Sequence, residues 1–231
     1  MLNQLAENIW VVVDGGAVPF FGLPYTTRMT IIRLENNDLF IHSPIKPNNE
    51  LMQEVSKLGN IKYLISPNKI HHLFLQDWLE LYPNAEVYAS PGLREKRKDI
   101  NFTADLKDFP EAQWQNEIDQ LIFKGSRVMQ EVVFFHKPSK TLILTDLIEN
   151  FDENYFTGFK GLIAKLSGIV APNGKTPIDW RMSFFFGKKQ ARECFERILA
   201  WQPERIIVAH GKNIEINAVD FLKKSFKWLG K

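Results

Sequence analysis

Two short hairpins constrain the fold of this chain more than any other feature. Arg28–Leu34 and Asp38–His42 are rich in β-branched and apolar residues and are separated by Glu35-Asn36-Asn37, a spacing that predicts paired antiparallel strands. Glu131–Phe135 and Thr141–Asp146 repeat the pattern around Pro138-Ser139-Lys140. Each hairpin is followed by short buried runs of the kind parallel strands make: Tyr63–Ile65 and Ala85–Ala89 after the first, Arg205–Ala209 after the second. Antiparallel strands followed by strand–helix units, twice over, predict mixed sheets covered by helices, a layered α/β sandwich. Adjacent antiparallel strands argue against an all-parallel doubly wound fold.

Helical periodicity fills the intervals. Leu51, Met52, Val55 and Leu58 share a face behind a capping Asn48 or Asn49. Asn68 is placed to cap a second helix that ends near Tyr82-Pro83 and carries Leu75, Trp78, Leu79 and Tyr82. Phe156, Phe159, Leu162, Ile163 and Leu166 predict a third, amphipathic helix, and Ala191, Cys194, Phe195, Ile198 and Leu199 a fourth. Val219, Leu222, Phe226 and Leu229 mark a closing helix. Ile9–Val13 is expected to be a strand stopped by Asp14-Gly15-Gly16, and residues 99–116 a polar surface loop. No low-complexity linker divides the chain, so residues 1–231 are expected to form a single domain.

Composition narrows the function classes. The chain is 45% apolar and 24% charged with a net charge of +2, ordinary for a globular protein. The basic runs at 93–98 and 223–227 are short and fit solvated helix faces, so a nucleic-acid partner is not expected. The N-terminal stretch lacks the pattern of a signal peptide. No run reaches the roughly 20 apolar residues needed to span a bilayer, so no membrane partner is expected. One cysteine, Cys194, allows no intramolecular disulfide, and a cytoplasmic location follows as the default. The apolar run Ser183–Gly187 fits a buried turn, a pocket wall or a subunit contact, and a homo-oligomer remains open.

Candidate chemistry gathers at strand ends: His42, His71-His72, His210 and Asp146, with His136 after a strand. Strand ends joined by short loops are where side chains converge in layered α/β proteins. Each residue also has a bland role, as a satisfied core histidine or a turn-forming aspartate. No nucleophile–base–orienter set is legible, and neither a glycine-rich phosphate loop nor a Cys-x-x-Cys pair is present.

The order of these elements resembles the metallo-β-lactamase superfamily, from about residue 8 to the end. The resemblance implies a four-layer αββα sandwich. The superfamily's His-x-His-x-Asp-His motif falls on Pro67-Asn68-Lys69-Ile70-His71-His72. A glycine-preceded histidine ligand falls on Ser126, the metal-bridging aspartate on Asp146, and the final histidine on His210 before Gly211. Pro67, Lys69 and Ser126 would therefore leave the first of two metal positions without ligands. The second position would keep His71, His72, Asp146 and His210. That set suits zinc and also iron or manganese, and a helix start would hold both adjacent histidines neutral.

Two readings follow. In one, a single ion activates water against an ester, lactone, thioester or amide of a small-molecule substrate. Lys69 then neutralises the developing oxyanion, with Asp146 at the reacting centre. In the other, no metal binds and the fold is a non-catalytic binding module. Glu131 and Glu149 are candidates for groups supporting the ligands.

Overall fold

A computed structural model describes residues 2–20 and 23–230. The chain divides into two compact units: Met1–Pro19 with Pro24–Leu106, and Phe20–Leu23 with Lys107–Lys231.

The first unit is built on a seven-stranded sheet in the order β1-β2-β3-β4-β5-β6-β7. Its strands are β1 (Leu2–Ala6), β2 (Ile9–Phe20), β3 (Leu23–Arg33), β4 (Asp38–His42), β5 (Asn60–Ser66), β6 (Glu86–Ala89) and β7 (Ala104–Asp105). The predicted hairpin is present, with β3 and β4 antiparallel and Thr30 opposite His42. β4 is the turning point, because it pairs in parallel with β5 on its other edge. Leu39, Phe40, Ile41 and His42 are accordingly all buried, the near-continuous burial of a central strand covered on both faces. Helix α1 (Asn49–Ser56) is capped as expected: Asn48 Oδ1 accepts from the Leu51 amide at 2.9 Å. Trp78, fully buried in helix α2 (Leu75–Leu81), donates its indole N–H to the Ile45 carbonyl at 2.7 Å. A four-residue helix, α3 (Leu93–Lys96), follows β6.

Three expectations fail in this unit. Residues 99–106 belong to the expected polar surface loop but include β7, with Ile100, Phe102 and Leu106 buried. β2 does not stop at Asp14-Gly15-Gly16 but continues to Phe20. It lies between β1 and β3 in the sheet, and ladder pairing overrides the local turn preference. Helix α2 begins at Leu75, well after Asn68. Asn68 Oδ1 accepts from the amides of Ile70 and His71, and Ser66 Oγ bonds to the carbonyls of Asn68 and His71. Side chains thus take the backbone groups a first helical turn would use.

The second unit holds a four-stranded sheet in the order β11-β10-β9-β8. These strands are β8 (Ile118–Phe123), β9 (Glu131–His136), β10 (Thr141–Leu144) and β11 (Arg205–Val208). β8, β9 and β10 run antiparallel, and β10 pairs in parallel with β11. The predicted second hairpin and the parallel strand after it are both present. Four helices accompany the sheet: α4 (Gly158–Ser167), α5 (Ile178–Ser183), α6 (Lys188–Ala200) and α7 (Ala218–Ser225). The α6 stripe is inward as predicted, with Ala191, Cys194 and Ile198 buried. The α4 stripe is not: Phe159, Leu162, Ile163 and Leu166 are all exposed, and Ala164 is the buried residue of that helix.

One side chain organises the end of β10. Glu131, at the start of β9, is fully buried. Its Oε1 accepts from the Thr145 amide at 2.8 Å, and its Oε2 from the amides of Asp146 at 2.8 Å and Leu147 at 3.1 Å. The chain leaving β10 is held by these three bonds in place of a ladder. Next to it, the Asn150 amide donates to the His210 carbonyl and the Lys212 amide to the Asn150 carbonyl. Gly211, at φ 97°, allows this approach, since a Cβ there would collide with the Asn150 carbonyl.

Glu131→Gln presents an amide nitrogen to at least one of these backbone donors. Loss of about 1–3 kcal/mol of stability is expected for each buried N–H left unmatched, read as a lowered urea midpoint at unchanged slope. A second test concerns acid. His136, expected just after a strand, is buried inside β9. Burial pushes its pKa down to about 4, and burial followed by the charge of His71 pushes His42 down to about 3. Both are neutral in the folded chain while their unfolded counterparts titrate near 6.5. The stability they allow is complete above pH 6.5 and falls as pH drops toward 4, by about 1.4 kcal/mol per pH unit per histidine. Urea denaturation at pH 7 and pH 5 should show the loss, and His136→Gln should flatten it by one proton.

Candidate metal centre

Asp146 and His210 are brought together. Asp146 follows β10 on the turn that Glu131 holds, and His210 follows β11 in the strand-to-turn segment that ends at Gly211. Parallel pairing of β10 with β11 puts the two strand ends side by side, Leu144 opposite Val208. His210 Nε2 lies 3.0 Å from Asp146 Oδ1, with the two side chains 5% and 11% exposed. The His210 ring stacks on Phe151 at 6.0 Å between centroids and 17° between planes, which fixes its orientation. Glu149, expected as a supporting group, is buried nearby in sequence and bridges Lys175 through its backbone.

His71 and His72 are neighbours with divergent partners. His71 Nδ1 is 2.6 Å from Ser43 Oγ. Ser43 directly follows β4 and has φ 55°, an uncommon conformation for a residue with a Cβ. A histidine whose Nδ1 is bonded to a hydroxyl has its ring orientation fixed and keeps Nε2 for another partner. His72 is held differently. Its Nδ1 is 2.9 Å from Arg97 Nη1. A guanidinium only donates, so Nδ1 accepts and the neutral ring carries its proton on Nε2. Burial, then the nearby cations of Lys96 and Arg97, push the His72 pKa down to about 4. The neutral state was expected from a helix start; desolvation and these cations produce it instead, since α2 begins three residues later.

The remaining sequence positions have structural employment. Lys69 accepts the Lys96 ammonium at its carbonyl, 2.8 Å, and its side chain runs beside Gly92. Ser126 Oγ lies 2.7 Å from Ser183 Oγ and accepts from Trp180 Nε1 at 3.0 Å and from the amides of Val128 and Met129.

Sequence reasoning missed Ser43 and Arg97. Nothing marks Ser43 except its place after a strand-ending histidine. Arg97 lies in the basic run that fits a solvated face; its side chain is 17% exposed and bonds to both His72 and Asp99. Its position relative to α3 gives no sign of this, because Arg97 sits past the helix end and turns back.

Searches against known proteins agree with this layout. No curated protein matches the sequence. Among solved structures, the DIM-1 metallo-β-lactamase exposed to ceftazidime matches at 16% identity, over 97% of this chain and 95% of that one, with a TM-score of 0.65. A metallo-β-lactamase from Pontibacter korlensis matches at 10% identity, over 99% and 98%, with a TM-score of 0.67. FIM-1 from Pseudomonas aeruginosa, in its mono-zinc form, matches at 8% identity, over 99% and 94%, with a TM-score of 0.64. At these identities the likeness shows the fold, the αββα class expected from the sequence. A family profile described as a domain of unknown function (DUF4336) matches residues 7–160. The chain therefore belongs to the DUF4336 family, on a metallo-β-lactamase fold.

Proposed function

We propose that this protein is a hydrolase that uses one divalent metal ion, with Asp146 and His210 as the ligands of the second unit and His71 as the further ligand that the sequence resemblance assigns. The observation that carries the reading is the buried pairing of His210 Nε2 with Asp146 Oδ1 at 3.0 Å. Two imidazoles and a carboxylate are the donor types of a catalytic zinc site with one position left for water or substrate, and iron or manganese are compatible alternatives. A bound ion would supply Lewis acidity, polarising water or an ester, lactone, thioester or amide carbonyl.

The protein's own groups define the rest. Glu131 fixes the backbone of Asp146, and Phe151 and Asp146 orient His210. Ser43 orients His71. His72 falls outside the ligand set, because Arg97 occupies its Nδ1 and leaves a proton on Nε2. The first metal position of the superfamily has no ligands in this reading: Pro67 offers none, and the Ser126 hydroxyl is engaged by Trp180 and Ser183.

That same loss favours a second reading, a metal-free binding module on this fold. Metal analysis separates the two. Untagged protein purified without chelator is expected to hold about one zinc, iron or manganese per chain, and Asp146→Ala or His210→Ala to lose it. His72→Ala is expected to keep it. Folded wild-type protein holding less than about a tenth of an ion per chain after zinc supplementation would leave the metal-free module standing. With metal present, slow hydrolysis of a panel of activated esters, lactones and thioesters should fall by at least about a hundredfold in His210→Ala.

A further inference from the structure

Helix α4 is amphipathic in the reverse sense. Its apolar residues recur at helical spacing, yet Phe159, Leu162, Ile163 and Leu166 are 76%, 53%, 41% and 73% exposed. A helix of a globular protein ordinarily turns such a stripe toward the core. A second apolar cluster lies on α5 and the turn after it, where Ile178, Met182, Phe185 and Phe186 are 48%, 73%, 71% and 73% exposed. The two elements are joined, because Arg181 of α5 donates to the Ser167 carbonyl at the end of α4, 2.9 Å away. Solitary exposed apolar residues need no explanation; eight on two neighbouring elements do.

Charge says what the surface fits. Residues 151–192 carry seven lysines and arginines against three carboxylates, a net +4; the rest of the chain has 22 against 24, a net −2. α4 itself has two lysines, both exposed, and no carboxylate. On the other cluster, the Arg127 guanidinium sits 4.5 Å from the centre of the Phe186 ring. Exposed Phe, Leu and Ile interleaved with cations is the composition of a helix that lies in the headgroup zone of an anionic bilayer, with apolar side chains inserted and lysines reaching back to the headgroups. A second copy of the chain is a poorer occupant: two α4 helices packed about a twofold axis would bring Lys160 and Lys165 together with no carboxylate on either helix to pair them. A monolayer contact of this kind does not require a spanning segment, and no helix among the described residues is long and apolar enough to cross a membrane. In the sequence the stripe is indistinguishable from a core-facing one.

We propose that α4 and the α5 turn dock this protein peripherally on anionic lipid surfaces. The test is cosedimentation of the full chain with vesicles of phosphatidylcholine containing roughly 30% phosphatidylglycerol, against phosphatidylcholine alone. Binding should be at least about tenfold tighter to the anionic vesicles and should weaken at about 0.5 M salt, where charge is screened within a few ångströms. The double variant Leu162→Gln/Leu166→Gln should lose binding to both compositions. Lys160→Gln/Lys165→Gln should lose the preference for the anionic one. All four side chains are exposed, so both variants should keep the wild-type circular dichroism and melting temperature. No binding to anionic vesicles, or binding that both variants leave unchanged, overturns the proposal. A wild-type dimer by light scattering that Leu162→Gln/Leu166→Gln converts to monomer also overturns it, since the stripe would then belong to a second copy.

Discussion

The three backbone bonds accepted by Glu131 are the interaction on which the second unit's chemistry depends. β10 ends at Leu144, and Thr145–Leu147 lie outside its ladder with β11. A buried carboxylate with two acceptor oxygens substitutes for a whole rung of sheet, taking the amides of Thr145, Asp146 and Leu147. An amide or hydroxyl could not do this, since each would present a donor to a row of donors. With the Asp146 backbone fixed, its carboxylate meets His210 Nε2 at 3.0 Å. His210 is fixed in turn by the ladder between Asn150 and the 210–212 segment, which Gly211 makes possible. The strand ends are set by parallel pairing, and the side chains beyond them by this one buried acid.

The corresponding segment in the first unit is organised by short polar side chains instead. Ser66 and Asn68 occupy the carbonyls and amides between β5 and His71. The result is a run of turns in which neighbouring residues face unrelated partners. His71 turns to Ser43 and His72 to Arg97. In a regular helix, adjacent residues diverge by about 100°, so some divergence was to be expected even from the sequence. What could not be read was the chemical consequence, that one ring has its Nδ1 on a hydroxyl while the other has its acceptor nitrogen tied to a guanidinium.

Where the sequence was legible, the signal was local and periodic. The hairpins at 28–42 and 131–146, the Asn48 cap and the inward stripe of α6 all rest on neighbours a few residues apart, and all appear in the structure. The strand-end positions of Asp146 and His210 followed from the same hairpin and the same buried run. The misses share a different cause. Asp14-Gly15-Gly16 has turn preferences, but the long strand β2 runs through it to Phe20. Asn68 is a good cap that spends its oxygen on a turn. The α4 stripe has the right period and the wrong direction, and periodicity carries no information about which side of a helix is covered. Arg97 was hidden because composition cannot separate a cation on a solvated face from one folded over an imidazole.

Ser126 and the Asp146–His210 pair, all positions that the sequence resemblance assigns to metal ligands, differ in how they are satisfied. Ser126 is fully integrated: it receives bonds from an indole and two amides and meets a second hydroxyl. Asp146 and His210 meet each other instead. They are a carboxylate and an imidazole with side chains 11% and 5% exposed, facing each other at 3.0 Å. Burying such a pair carries a desolvation cost that replacement by apolar residues of similar size would avoid. A fold relieved of its chemistry has no physical reason to keep that arrangement, nor to hold it with a second buried acid at Glu131. The contrast supports the metal-binding reading over the metal-free one. It places the weight of that reading on the second unit's strand ends rather than on the paired histidines of the first, where the sequence drew the eye.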